Sequence, residues 1–213
     1  MKFHAVCLML FSFAVADSAG AVSRSWPFKV YLDDQLVGEH SFSLKGEGEL
    51  QTLESVARFD VRFLGIGLYH YDHLSNESWR LDCLQSIHAK TDDNGTNITV
   101  EGTALPQAFS LQVQGKRQTL PGCIMTFAYW NPEMLHQHQL LNPQTGELTE
   151  VSVRLLGREF MEVKAKKVPV DHYVLLAPKF EIDLWYDLEG QWVALDSRLE
   201  DSKKLRYRLD PQS

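Results

Sequence analysis

Three shortages narrow what this sequence can be. Cysteine is scarce: Cys7, Cys83 and Cys123 are the only three in 213 residues, too few for a disulfide-dense miniature fold. Positive charge is not in excess, since 21 Lys and Arg stand against 28 Asp and Glu, for a net charge of −7. A nucleic-acid binder needs a basic stripe to neutralise phosphates, and attraction to anionic lipid headgroups needs the same sign. Neither partner is expected. Long apolar runs are missing beyond the first 21 residues, so the mature chain has no helix of the ~20 residues needed to span a bilayer. Repeats, linkers and low-complexity stretches are also lacking. What remains is ordinary globular composition, 44% hydrophobic and 23% charged, in a length suited to one domain with a real core.

The first segment reads as an address. Lys2 precedes the apolar run Ala5–Ala16, and Ala19-Gly20-Ala21 follows. A basic start, a short apolar stretch and a small-x-small ending mark a secretory signal peptide, cleaved after Ala21. The expected organisation is a signal peptide over 1–21 and a single antiparallel β domain over 22–213. Export leaves Cys83 and Cys123 as an even pair in an oxidising compartment, which suggests one disulfide; two buried free thiols are the alternative.

The rest of the chain alternates. Phe28, Val30 and Leu32 interleave with Lys29 and Tyr31; Phe59, Val61 and Phe63 with Arg58, Asp60 and Arg62; Phe180, Ile182, Leu184 and Tyr186 with Glu181 and Asp183. Period two marks strands with one wet face. Asp92-Asp93-Asn94-Gly95 predicts a hairpin, because Asn-Gly accepts positive φ cheaply. Asn131-Pro132-Glu133 has the cap, first-turn proline and early acid of a helix start, so a short helix is expected over 131–141. The predicted class is all-β: an antiparallel, strongly curved sheet forming a barrel, half-barrel or sandwich.

Seven motifs in order carry a resemblance: 59–66 (Phe-Asp-Val-Arg-Phe-Leu-Gly-Ile), Tyr69-His70-Tyr71-Asp72-His73, Glu77-Ser78-Trp79, Thr91–Gly95, Tyr129-Trp130-Asn131, Leu141–Gly146 and Asp183–Asp187. Their spacing resembles the exported bacterial family known as domain of unknown function family 6134, from about Phe28 to Leu209. The resemblance implies a one-domain exported β protein of the bacterial periplasm. It implies no activity, and it does not bear on the cysteines.

Catalytic and metal motifs are poorly supplied. There is no Gly-x-Ser-x-Gly elbow. His70 and His73 fall on opposite faces of a strand, and His136-x-His138 does not share a helical face, so no metal site and no cofactor are expected. Aromatic residues are the more suggestive feature, because Trp and Tyr rings combine apolar area with one polar atom. Taken as one extended run from Leu68 to Cys83, the odd positions include Tyr69, Tyr71, His73, Glu77 and Trp79. That face should point into the concave interior. These five residues are the candidate ligand site: three aromatic rings with a histidine and a carboxylate at a polar end. The expected function is an exported, non-catalytic binding module for a lipid or other apolar or amphiphilic small molecule. The alternatives are a structural or assembly factor of the cell envelope acting through protein contacts, and an enzyme using His73 and Glu77 as acid and base.

Overall fold

The computed structural model describes residues 21–63, 66–198 and 203–211; residues 1–20 of the expected signal peptide lie outside them. Eight strands follow one another from the start: β1 (Ala21–Leu32), β2 (Gln35–Glu47), β3 (Leu50–Phe63), β4 (Ile66–Arg80), β5 (Cys83–Asp93), β6 (Thr96–Leu105), β7 (Ala108–Val113) and β8 (Lys116–Pro121). After an interruption come β9 (Gln139–Leu141) and β10 (Leu148–Glu150), then β11 (Ser152–Val163), β12 (Lys166–Leu176), β13 (Glu181–Asp187), β14 (Trp192–Arg198) and β15 (Lys204–Leu209). Thirteen of these form one antiparallel sheet in the order β11-β12-β13-β14-β15-β1-β2-β3-β4-β5-β6-β7-β8. The chain therefore runs as a meander whose last strand returns beside its first, through the β1–β15 pairing of Phe28 with Leu209. The sheet does not close: β8 and β11 are its edges. Of the expected barrel, half-barrel and sandwich, a single open sheet corresponds to the half-barrel.

Local chemistry explains the bends. The β5–β6 hairpin turns at Asn94 (φ 51°) and Gly95 (φ 91°), as the Asn-Gly pair predicts. Register slips in β1 at Val30/Tyr31, in β3 at Val61/Arg62 and in β4 at Ser78/Trp79, and each such bulge increases local twist. Gly38 lets β2 pass close over β3, since a Cβ there would sit 1.9 Å from the Arg58 carbonyl oxygen.

The short helix expected near 131–141 is present but shorter, and it is 3-10 in type. Only one 3-10 turn forms, Pro132–His136, capped by the Asn131 side chain accepting from the Glu133 amide. Gln137 is already extended at ψ 152°, and Gln139–Leu141 leaves to pair with Leu148–Glu150. A start signal fixes where a helix begins, but so short a segment gains little from propagating when strand pairing competes for its backbone. The expected run from Leu68 to Cys83 also breaks: Leu81 takes φ 52°, so β4 ends at Arg80 and Cys83 opens β5.

Segment 122–151 fills the curl. Its Ile124, Met125, Trp130, Met134, Leu140 and Leu141 are buried in one apolar core with the inner face of the sheet, where Trp26, Phe28, Phe42, Trp79 and Leu184 point inward. The segment is fastened where β4 turns into β5. Cys83 and Cys123 form a disulfide with Cα atoms 5.0 Å apart, the Leu84 amide donates to the Ile124 carbonyl at 3.0 Å, and the Trp79 and Trp130 rings meet edge to face at 5.4 Å. Glu77 lies at the centre of this junction. Its carboxylate accepts from Trp79 Nε1 (3.0 Å), Thr126 Oγ1 (3.2 Å) and Ser75 Oγ (3.3 Å). Burial drives its pKa up to about 7, against the opposing pull of those three donors.

Two outcomes follow. The disulfide closes a loop across a separation of 40 residues, worth roughly 4 kcal/mol in the chain-entropy model. Replacing both Cys83 and Cys123 by Ser should lower the melting temperature by roughly 10 °C, read by calorimetry; an unchanged melting temperature would show that the bond does not hold the segment. For Glu77, the native state keeps a proton up to about pH 7, whereas the unfolded chain releases it near the ordinary value of ~4.3. The native state binds more protons in that window, so stability should fall as pH rises through it. Glu77→Gln should remove about 3 kcal/mol of this fall, measured by urea unfolding at pH 5 and pH 8.

Candidate functional site

The inner face of β2 to β4 is unusual in being small and polar at its middle. Ser55 pairs opposite Phe42 on one side and Ser75 on the other, and Ala57 lies between His40 and His73. All of these are buried. Of these, His40, Phe42, Ser55 and His73 border room that segment 122–151 does not take up. The result is an open cavity of about 340 Å³ between sheet and segment, at the lower end of the range for small-molecule sites.

Its walls come from both sides. Phe42, Trp192 and Tyr207 rise from the sheet, Phe127 and Tyr129 descend from the segment, and Phe180 and Ile182 approach from β12–β13. These rings pack against one another: Tyr129 lies 5.1 Å from Trp192, and Phe127 5.8 Å from Phe180, centroid to centroid. The Tyr186 hydroxyl holds the segment by donating to the Tyr129 carbonyl at 2.8 Å.

Polar groups in the cavity are few and fixed. His40 Nε2 lies 2.7 Å from Ser55 Oγ, and its Nδ1 3.4 Å from the Tyr207 hydroxyl. His73 Nδ1 lies 2.9 Å from Thr91 Oγ1, whose hydroxyl donates to the Gln144 carbonyl at 3.2 Å. Burial lowers the pKa of both imidazoles, His73 to about 4 and His40 well below its usual value with a further push from His73. Both rings are neutral at pH 7. Burial raises the Tyr129 and Tyr207 phenols, so they are neutral as well. Among the described lining residues the charged ones are Lys179 and Arg198 at the rim, where Lys179 pairs with Glu147 at 3.1 Å and Arg198 with Glu181 at 3.5 Å.

The five residues expected to form one site are separated. Tyr71, His73, Glu77 and Trp79 do point inward and are buried, as the odd-face reading of β4 expects. Only His73 borders the cavity. Glu77 and Trp79 are committed to fastening segment 122–151, and Tyr71 stacks on Phe59 at 5.2 Å. Tyr69 is 37% exposed and donates its hydroxyl to Asp93 at 2.7 Å. Glu77 and His73 therefore do not face one space, as an acid–base pair would require. Sequence reasoning missed His40, Ser55 and Tyr207. The signal for His40 was present, since it shares parity with Phe42 and Leu44 on the apolar face of β2.

No described residue lining the cavity is a carboxylate or a thiol. The Ser55–His40 contact therefore lacks the acidic partner that orients a base in a hydrolytic triad. Among the described residues no group of three or more His, Cys, Asp or Glu is placed to hold a metal ion, and no helix is long and apolar enough to cross a membrane.

No curated protein matches the chain. A solved structure shares the architecture: a beta-barrel-like protein of domain of unknown function DUF1849 from Brucella abortus superposes with a TM-score of 0.67 over 89% of this chain and 96% of that one, at 10% identity. A likeness at that identity concerns the fold alone. The model of the family described as Domain of unknown function (DUF6134) matches residues 28–210, and with the curved sheet and its filling segment in place the chain belongs to that family.

Proposed function

We propose that the chain is an exported, periplasmic binding module that holds an amphiphilic small molecule between its curved sheet and segment 122–151. One observation carries this reading: the cavity of about 340 Å³ is walled by aromatic and aliphatic side chains and has neutral polar groups at fixed positions. Apolar walls supply affinity through buried area, and a few convergent polar atoms fix orientation. Polar atoms are offered at two depths, by Lys179 and Arg198 at the mouth and by His40, Ser55 and His73 inside. Export is supported by the leader pattern over 1–21 and by the Cys83–Cys123 bond, which suits an oxidising compartment.

A second reading rests on β11. This edge strand exposes Leu155 (57%), Leu156 (52%) and Phe160 (66%), and an open apolar edge is a place where another chain can add a strand. It keeps the envelope assembly role in play.

Two measurements separate these readings. 1-Decanol should displace 1-anilinonaphthalene-8-sulfonate from the mature protein, and Ser197→Trp, which narrows the cavity, should weaken decanol at least ten-fold while leaving the melting temperature within a few degrees. Displacement unaffected by Ser197→Trp but abolished by Leu156→Lys and Phe160→Lys would move the function to the β11 edge. N-terminal sequencing of the exported protein should begin at Val22; a mature chain that starts at Met1 would refute cleavage.

A further inference from the structure

We infer that the molecule bound in the cavity carries an uncharged hydrogen-bond donor, a hydroxyl or amide N–H, which His73 Nε2 accepts. This rests on the ligand-binding reading of the cavity and adds to it the class of ligand. The hydroxyl of Thr91 has one proton. Its oxygen lies 3.2 Å from the Gln144 carbonyl, and two acceptors at that separation repel unless a proton lies between them. Thr91 therefore donates to Gln144 and must accept from His73 Nδ1, 2.9 Å away. Nδ1 carries the ring proton, which leaves Nε2 as a lone-pair acceptor.

That acceptor has no hydrogen-bond partner among the described residues, although the His73 side chain is one of the most buried polar groups of the fold, in a residue 3% exposed. The ring borders the cavity. Nε2 is not one of the sealed polar atoms without a partner, which are the Tyr71 hydroxyl and Trp130 Nε1; it is an open lone pair on a residue of the cavity wall, and such an acceptor favours a ligand that can donate to it. His40 does not compete for this role, because both its nitrogens are engaged by Ser55 and Tyr207. An uncharged donor is the fitting one, since the lining holds no carboxylate and its two cations, Lys179 and Arg198, would oppose an ammonium brought inside. The ligand class is thus an apolar chain or ring system bearing a hydroxyl or amide on its buried part.

The test uses two isomers of equal size on the mature, disulfide-bonded protein: 1-decanol, which donates, and 1-methoxynonane, which only accepts. Decanol should bind about five-fold more tightly, the effect of one neutral hydrogen bond. His73→Phe should bring the two within two-fold of each other. Thr91→Val, which frees the Nδ1 proton to move to Nε2, should do the same or favour the ether, and it serves if His73→Phe does not melt cooperatively. Equal binding of both isomers to the parent protein, or a preference that survives either substitution, overturns the inference and leaves the binding module standing. Binding of neither isomer overturns the ligand-binding reading itself.

Discussion

The interior of a sheet curled this far has to be filled, and the chain fills it with its own irregular segment. An irregular backbone inside a protein carries amides and carbonyls that need partners. The joint at Glu77 answers that need, because its carboxylate gathers donors from its own strand and from Thr126, while the Cys83–Cys123 bond and the Leu84–Ile124 hydrogen bond hold the same place. Removing this joint would leave Trp79 and Trp130 facing an unsupported gap. The cost of burying Glu77 is visible in its raised pKa. A group kept at such a cost makes a specific connection that an apolar contact would not.

The filling is uneven, and the unevenness makes the cavity. Segment 122–151 packs tightly over Trp79 and Leu84, at the end that is fastened covalently. Farther along, the inner face narrows to Ser55, Ala57 and Ser75, and the segment is held by longer-range contacts such as Tyr186 to the Tyr129 carbonyl and Thr91 to the Gln144 carbonyl. Ser55 on the sheet and the rings of Phe127 and Tyr129 on the segment border the space that is left. The polar atoms left in that space belong to groups whose protonation is set by burial rather than by opposite charge.

Much of this was legible in the sequence, and the rest failed for identifiable reasons. Period-two alternation read the inward face of β4 correctly from Tyr71 to Trp79, because a strand offers only two faces. It failed at Tyr69, whose position near the end of the strand leaves it at the surface with Asp93. The helix expected near 131–141 starts at its Asn131 cap but stops at His136, because Gln139–Leu141 pairs with β10 instead. Grouping His73 with Glu77 treated neighbours on one strand as one site. Glu77 is instead taken up by Thr126, 49 residues away in sequence, and nothing in the local pattern announces a partner at that distance. Ser55 was invisible for a related reason, since it gains meaning only by meeting His40 across β2 and β3.

The central claim is that the space between sheet and segment exists to be occupied. Native mass spectrometry of the protein, purified under gentle conditions from its own host cells, addresses that claim without choosing a ligand beforehand. An occupied cavity predicts a non-covalent added mass at near-stoichiometric amount, lost in the Ser197→Trp variant, whose bulk lies in the cavity. A bare polypeptide mass in the parent protein, or an added mass that persists unchanged in that variant, would contradict it.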